Sequence, residues 1–289
     1  MRRSFLQARI FAYGYRHKHE RLFEYATQGA ADRFQVDSGR VECRRDAVDG
    51  EIIQKKPDRY DGRIIIDARV AHFDEQMFTP EYWRERNCVS GTAGGRGQVL
   101  FVDNGHEQWV LRHYHRGGAM TLPLKDRYFW AGAERTRSMM EWRLLAELYA
   151  QGLPVPQPVA ARYVRDGVFY RADLLTKRIP GTRALSEIAA ERLPGVDEWR
   201  AIGACIRRLH DEGVYHADLN AHNILLGDQY DQIYVVDFDR GRRRPGSRWK
   251  IRNLRRLNRS LHKIGVSLST PEFEEIQWPS LLQGYGSQA

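Results

Sequence analysis

The sequence contains no apolar run long enough to cross a membrane as a helix. Such a helix needs about 18 consecutive apolar residues, and charged side chains interrupt every apolar stretch among the 289 residues. The chain begins with Met1, Arg2 and Arg3, as a secretory signal could, but Arg9 breaks the apolar segment that a signal requires. We therefore expect neither a membrane-spanning helix nor a secretory signal.

Cysteine is also scarce. The three cysteines, Cys43, Cys88 and Cys205, are odd in number and show no CxxC spacing. This pattern indicates neither a disulfide framework nor a zinc site, and it fits a reducing compartment. Internal repeats and low-complexity tracts are absent, while 42% of the residues are hydrophobic. That content is enough for a packed core and excludes wholesale disorder.

Basic residues, in contrast, are in excess, with 46 Lys and Arg against 37 Asp and Glu. Basic proteins bind nucleic acids, anionic membranes or phosphorylated substrates, and net charge alone does not choose among these. The excess is local, because residues 240–263 hold 11 Lys and Arg and no acidic residue. Apolar residues in and just after this stretch recur at intervals of three and four, which predicts a basic amphipathic helix. They are Ile251, Leu254, Leu257, Leu261 and Ile264.

The length allows about two structural units. We predict an extension over residues 1–58, an N-terminal lobe over 59–179 and a C-terminal lobe over 180–289. Apolar segments separated by turn residues predict strands in the N-terminal lobe. These segments are 64–66, the vicinity of 88–89, 98–102, 108–112 and 168–179, with a hairpin turn at 103–105.

Two helices stand out from their apolar periodicity. One covers about 134–150 and ends before Gly152. The other runs from Asp197, a suitable N-cap, to about 212, and its apolar stripe has the spacing of one helical face. The stripe consists of Trp199, Ile202, Ile206 and Leu209. The sheet thus lies in the first half and helices in the second, and a cleft between two such lobes is a natural ligand site.

The strongest motif is HADLNAHN at residues 216–223, followed by an apolar strand and DFD at 237–239. It resembles the catalytic loop H-x-D-L-x-x-x-N and the D-F-x metal site of kinases. Phosphoryl transfer needs one carboxylate to orient the attacking hydroxyl, which would be Asp218. It also needs oxygen ligands that hold Mg²⁺ against the phosphates of ATP, which would be Asn223 and Asp237.

The first half of the chain offers partners for this motif. Gly95 and Gly97 lie between the predicted strands near 88–89 and at 98–102, where a kinase has its phosphate-covering loop, although the full G-x-G-x-x-G is absent and a plain turn is the alternative. Arg112 ends the next strand, where kinases usually have Lys, and its permanent charge suits phosphate oxygens. Lys125 is the rival cation. Glu141 shares a helix face with three leucines and needs a cation if buried, and the kinase fold supplies one by pairing the strand cation with a glutamate of the following helix. A boundary position whose side chain reaches water is the alternative.

The segment at 174–181 falls where the two lobes join. Kinase architecture places adenine against the backbone there, so Lys177 and Ile179 are the predicted contacts. No A-P-E motif follows DFD, only 50 residues remain, and Asp239 replaces the usual glycine. These features favour a kinase of small molecules or glycolipids. We expect an α+β, two-lobed protein-kinase-like fold, with an antiparallel sheet and one helix in the N-terminal lobe and a mainly helical C-terminal lobe.

Further motifs extend the likeness over residues 62–265. They are LRHYHRGG at 111–118, DRY at 126–128, GLPVP at 152–156, YRADL at 170–174, GVYHADLNAHNILL at 213–226 and DFDRG at 237–241. Together they resemble the 3-deoxy-D-manno-octulosonic acid (Kdo) kinases of Gram-negative bacteria. The resemblance implies ATP-dependent phosphorylation of the 4-hydroxyl of Kdo on Kdo-lipid IVA, at the cytoplasmic face of the inner membrane. It also implies that Arg in the position of Arg112 is normal.

The basic helix suggests a partner for the charge excess. Its polar face carries Arg252, Arg255, Arg256 and Arg259, which we expect to contact the phosphorylated substrate or an anionic membrane surface. A solvated face on a core helix is the simpler alternative. Other functions also stay open: an atypical kinase of another sugar, lipid or protein, or a nucleic-acid-binding protein with a decayed kinase core. The intact Asp218, Asn223 and Asp237 argue against decay, so we expect no nucleic acid, and no protein partner can be inferred.

Overall fold

The computed structural model describes residues 51–55 (backbone only), 61–70, 72–93, 99–115, 126–229, 232–264 and 270–286. Most strands lie in the first half of this range, as predicted. They are β1 (Glu51–Lys55), β2 (Asp61–Asp67), β3 (Val89–Ala93), β4 (Val99–Asp103), β5 (Gln108–His113), β6 (Tyr128–Phe129), β7 (Pro158–Asp166), β8 (Phe169–Lys177), β9 (Arg183–Ala184), β10 (Val214–Tyr215), β11 (Ile224–Leu226), β12 (Ile233–Val235) and β13 (Arg242–Arg243).

The main sheet is antiparallel, with the strand order β1-β2-β7-β8-β5-β4-β3 and with β6 paired to β8. Alternation along β5 sends Trp109 and Leu111 into an apolar cluster on one face. Arg112 and Tyr114 face the other side, where Tyr114 joins the larger core that extends into the second half of the chain. The sheet therefore presents Arg112 towards the second half of the chain.

Six α-helices complete the described structure. They are α1 (Pro80–Glu85), α2 (Arg137–Ala150), α3 (Leu185–Glu191), α4 (Val196–Asp211), α5 (Arg248–Leu261) and α6 (Trp278–Tyr285). Helix α2 buries Glu141 together with Leu144, Leu145 and Leu148. It ends as predicted, with Gly152 just beyond it at a φ of 69°, where a residue without a Cβ is favoured. None of the described helices is long and apolar enough to span a bilayer.

Helix α4 confirms its predicted apolar stripe, since all four stripe residues are buried. The predicted N-cap was wrong. The cap is Gly195, and Asp197 lies in the first turn. The carboxylate of Glu198 accepts a hydrogen bond from the Gly195 N–H at 2.6 Å, so the side chain of the third helical residue satisfies the helix start.

The predicted basic amphipathic helix is present as α5. Leu254, Leu257 and Leu261 are buried, as expected of a core-facing stripe. Ile251 does not belong to that stripe, because its side chain is 56% exposed. At about 100° per residue, Ile251 lies roughly 120° around the helix from Leu257. Trp249 and Asn253 occupy the other buried positions of the helix.

Two strands depart from expectation. Strand β7, which lies between β2 and β8 in the sheet, was not predicted; Pro158 opens it, and Pro154 and Pro156 lie just before it. Strand β1 lies inside the predicted extension 1–58 and pairs with β2 from Glu51–Asp67 to Lys55–Arg63. The predicted strands at β2, β3, β4, β5 and β8 are present, and Gly105 has a φ of 88° in the predicted hairpin turn.

Candidate active site

Arg112 joins the two halves of the site. Its guanidinium donates to a carboxylate oxygen of Glu141 on α2 and to Oδ1 of Asp237, which follows β12. The side chain of Arg112 is 17% exposed and that of Glu141 only 2%. The pairing predicted between the cation on the strand and the glutamate on the helix is therefore present. Arg112 also brings in Asp237, 125 residues further along the chain.

The electrostatics of this cluster follow from burial and pairing. Burial raises the pKa of Glu141 to about 7, although Arg112 acts in the opposite direction. Burial also works against the charge of Arg112, but Glu141, Tyr114 and Asp237 outweigh it and raise the pKa of Arg112 above its usual value. The Tyr114 hydroxyl donates to Glu141 at 2.6 Å. Glu141 thus has two partners that hold it in place.

The ionisation of Asp237 suits a metal ligand. Burial opposes its charge, but Arg112 outweighs burial and lowers the pKa of Asp237. Its backbone has a φ of 63°, in the left-handed region that Asp tolerates better than most residues. The side chain is 41% exposed, and its second oxygen is not used by Arg112. Asp237 can therefore present an ionised oxygen to a cation.

His216 fixes the loop of residues 216–223, which resembles the catalytic loop of kinases and is called the catalytic loop below. Burial lowers the pKa of His216, so its ring is neutral at pH 7. Nε2 lies 3.0 Å from the Val236 carbonyl and therefore donates, while Nδ1 accepts from the Asp218 N–H at 3.2 Å. The ring also packs against the buried Phe238 at 4.8 Å between centroids. His216 thus ties the loop that carries Asp218 to the segment that carries Asp237.

Asn223 fits the predicted cation site. Its side-chain amide nitrogen donates to the Asp218 carbonyl at 3.0 Å, which leaves its amide oxygen available. Its own backbone carbonyl accepts from the Val236 N–H at 3.0 Å, one residue before Asp237. The described residues contain no cluster of three or more His, Cys, Asp and Glu that could hold a metal alone. One carboxylate and one amide oxygen, completed by phosphates and water, form the kind of site that Mg²⁺ takes with nucleotides.

The carboxylate of Asp218 has an arginine as its partner. Nε of Arg256 donates to Oδ1 of Asp218 at 2.8 Å, and Nη2 donates to the same oxygen. Both side chains are about half exposed. The second carboxylate oxygen of Asp218 takes no part in this ion pair. Arg256, on α5, therefore contacts the loop of residues 216–223, whereas Arg252, Arg255 and Arg259 are exposed on the outer face of α5.

Asp239, in place of the usual glycine, is mostly enclosed. Burial raises its pKa, and its Oδ2 lies 3.4 Å from Nη1 of Arg137. Its Oδ1 is buried without a hydrogen-bond partner among the described residues. Asp239 adds negative charge beside Arg112, which helps to hold that cation in the cleft.

The predicted contacts at the junction of the lobes lie at the end of β8. Lys177 forms an ion pair with Glu107 at 2.5 Å, and its backbone N–H donates to Gln157. The Ile179 carbonyl accepts from the Thr182 hydroxyl at 2.9 Å. Neither side chain joins the cluster around Arg112. Gly95, Gly97 and Lys125 lie outside the described residues.

Sequence reasoning missed three contributors. Tyr114 was not assigned a role, although it lies two residues after Arg112 on the same face of the strand. Asn253 is a polar residue at a buried position of α5, and its side-chain amide donates to the His216 carbonyl at 2.8 Å. Arg256 was predicted to contact the substrate or an anionic membrane surface, but its position beside Asp218 was not predicted. Asn253 could have been found as a polar residue within an apolar stripe. The contact of Arg256 with Asp218 joins residues 38 apart, and no local sequence pattern signals it.

The site therefore combines a paired cation, two side-chain oxygens (of Asn223 and Asp237) left available for a cation, and a half-exposed carboxylate beside an arginine. Arg112 can neutralise phosphate charge once a nucleotide competes for it. Asp218 can accept or orient a hydroxyl proton. These are the parts that phosphoryl transfer to an alcohol requires, because that reaction depends mainly on positioning and on charge neutralisation.

One protein family and several known proteins are similar to this chain. The model of the lipopolysaccharide kinase (Kdo/WaaP) family matches residues 80–285. A protein of Xylella fastidiosa (strain M23) named 3-deoxy-D-manno-octulosonic acid kinase is 47% identical over 206 residues, covering 71% of this chain and 82% of the relative. One of Vibrio parahaemolyticus with the same name is 42% identical, covering 68% and 85%. A solved structure, WaaP in complex with acyl carrier protein, aligns at 17% identity and a TM-score of 0.45, covering 74% and 88%.

Proposed function

Because this chain belongs to the lipopolysaccharide kinase (Kdo/WaaP) family, we propose that it phosphorylates the 4-hydroxyl of Kdo on Kdo-lipid IVA, with Mg·ATP as the donor. It is a kinase whose acceptor is a hydroxyl group. The observation that carries the proposal is the position of Asp218. Its half-exposed carboxylate lies in the same loop as Asn223. The backbone carbonyl of Asn223 accepts a hydrogen bond from the N–H of Val236, the residue before Asp237.

Asp218 would orient the acceptor hydroxyl and take its proton as the new oxygen–phosphorus bond forms. His216, held neutral by burial, donates to the Val236 carbonyl and accepts from the Asp218 N–H, so the loop keeps its shape. Arg112 would exchange one carboxylate partner for a nucleotide phosphate, while Glu141 and Tyr114 keep it oriented. When bound through Asn223 and Asp237, Mg²⁺ would supply charge neutralisation at the phosphates.

Adenine would lie against the backbone of residues 177–179, at the end of β8. The Lys177 and Arg178 N–H groups already donate to Gln157 and Gln108. The Lys177 side chain is held by Glu107 at 2.5 Å. This anchoring supports a rigid backbone edge, which is what recognition of a flat base through main-chain groups requires.

We also place the enzyme at the cytoplasmic face of the inner membrane, as a peripheral protein. The support is the face of α5 that carries Arg252, Arg255 and Arg259, all exposed. The opposite face packs into the core through Leu257 and Leu261. Basic side chains near an anionic surface each contribute about 1 kcal/mol to binding. That surface and the phosphates of the glycolipid acceptor would attract the same face.

Transfer of radioactive phosphate tests the acceptor. The protein with labelled ATP and Mg²⁺ should label Kdo-lipid IVA but not lipid IVA, which lacks the Kdo acceptor. Free Kdo tests whether the lipid portion is needed. Labelling of both lipids would place the acceptor group on the lipid A portion, and labelling of added proteins instead would favour a protein kinase.

A further inference from the structure

The catalytic loop lacks a cation of its own. Between Asp218 and Asn223 the sequence is Leu-Asn-Ala-His, without Lys or Arg. Arg112 pairs with Glu141 and Asp237, and its proposed partner is a phosphate of the nucleotide. Phosphoryl transfer develops charge on the oxygens of the moving group, and kinases and related enzymes commonly neutralise it with a cation beside the reacting atoms.

Arg256 brings a guanidinium to this position from another part of the chain. It lies 38 residues after Asp218, yet Nε and Nη2 both donate to Oδ1 of Asp218. Because these two donors meet on one oxygen, Nη1 is not used in the pair. The contact is half exposed, so it contributes little to folding. The position of the pair, at the carboxylate proposed to orient the acceptor hydroxyl, is what gives Arg256 access to the reacting atoms.

The helix that carries Arg256 is fixed to the same loop on both sides of it. Three residues earlier, the buried Asn253 donates to the His216 carbonyl at 2.8 Å. Four residues later, the hydroxyl of Ser260 accepts from the Ala221 N–H at 3.0 Å. Asn253, Arg256 and Ser260 have the spacing of one helix face. The guanidinium is therefore held at a constant distance from the loop by its own helix.

We propose that Arg256 is a catalytic residue that contacts the transferring phosphoryl group in the transition state. The attacking oxygen must lie about 3 Å from Asp218 and about 3–3.5 Å from the phosphorus. A guanidinium hydrogen-bonded to the same carboxylate can then reach an oxygen of that phosphoryl group. The bond from phosphorus to the ADP oxygen breaks and leaves its electron pair on ADP, the bond to the acceptor oxygen forms, and the acceptor proton passes to Asp218. The identity of the acceptor rests on the function proposed above.

Steady-state kinetics of Arg256→Ala and Arg256→Lys test the proposal. We expect the alanine variant to lose about 10³-fold in kcat, with the KM for ATP changed less than about threefold, and added guanidinium ion to restore part of the rate. Arg256→Lys should keep only part of the wild-type kcat, because an ammonium group cannot form the forked hydrogen bonds of a guanidinium. Arg207→Ala is the matched control, since Arg207 has a similar exposure and its own ion pair with Asp211. It should keep the wild-type kcat.

A second readout requires no acceptor. Thermal shift measures binding of ADP with aluminium fluoride and Mg²⁺, a mimic of the transferring phosphoryl group. The melting temperature of wild-type protein should rise more with ADP and aluminium fluoride than with ADP alone. Arg256→Ala should still show the rise with ADP but not the additional rise with aluminium fluoride. An additional rise in the melting temperature of Arg256→Ala equal to that of wild-type protein would overturn the proposal. A variant whose only defect is a raised KM for the acceptor would also overturn it. If wild-type protein fails to phosphorylate Kdo-lipid IVA, the acceptor assignment is wrong, and the fluoride measurement still decides the role of Arg256.

Discussion

The side-chain amide of Asn223 donates to the backbone carbonyl of Asp218 at 3.0 Å. This bond uses the amide nitrogen and leaves the amide oxygen for a cation. One short loop thus holds both the carboxylate proposed to orient the acceptor and an oxygen proposed to bind the metal. We therefore expect a change at either residue to affect both parts of the reaction.

Asp237→Asn should abolish most activity without loss of structure. Asn tolerates the left-handed backbone that Asp237 adopts, with its φ of 63°, but it lacks the charge needed for the metal. We expect kcat to fall at least about 100-fold and the Mg²⁺ concentration for half-maximal activity to rise. Kinetics over a range of Mg²⁺ concentrations measure both. An unchanged Mg²⁺ dependence, with the melting temperature preserved, would remove Asp237 from the metal site.

Arg112→Ala should destabilise the protein as well as impair ATP use. It leaves the buried Glu141 without its cation, and loss of one partner of a buried pair costs about 3–5 kcal/mol. Arg112→Ala together with Glu141→Gln should cost less than the sum of the single changes, because the uncompensated charge is then gone. Urea unfolding of the three variants measures this coupling. Strictly additive costs would show that the two side chains do not depend on each other.

Glu141 should make stability depend on pH. Burial raises its folded pKa to about 7, above the ordinary value of 4.5. A group with a raised folded pKa contributes stability that is fully present below its unfolded pKa and is lost as pH rises through the folded pKa. Wild-type protein should therefore lose stability relative to Glu141→Gln between about pH 4.5 and 7. Melting temperatures of both proteins across this range measure the difference, which a pH-independent offset would contradict.

Charge reversal on the outer face of α5 should weaken membrane binding without affecting ATP. The variant changes Arg252, Arg255 and Arg259 to Glu and keeps Arg256, which contacts Asp218. We expect sedimentation with anionic liposomes to fall at least about tenfold, because each basic residue contributes about 1 kcal/mol. ATP binding, measured by calorimetry, should stay within about twofold. Equal losses in both measurements would argue for a damaged fold.

The sequence predicted the parts of the structure that local patterns determine. The strands of the hairpin, α2 with Glu141 and the stripe of α4 follow from apolar spacing and turn residues. Strand β7 was not predicted, because Pro158, which opens it, resembles the loop residues before it. Ile251 was placed in the apolar stripe of α5 from its spacing alone, although the buried face of the helix includes Trp249 and Asn253 instead. The contact between Arg256 and Asp218 depends on how α5 packs against the catalytic loop, which no local pattern encodes.

Mass spectrometry of Kdo-lipid IVA after incubation with the protein and Mg·ATP decides whether the protein phosphorylates Kdo. We expect a mass gain of one phosphate, assigned by fragmentation to the 4-position of Kdo, and none with Asp218→Asn, which should fold normally. A phosphate on another group of the glycolipid would contradict the assigned position. No mass gain with wild-type protein, or an undiminished gain with Asp218→Asn, would contradict the function or the role of Asp218.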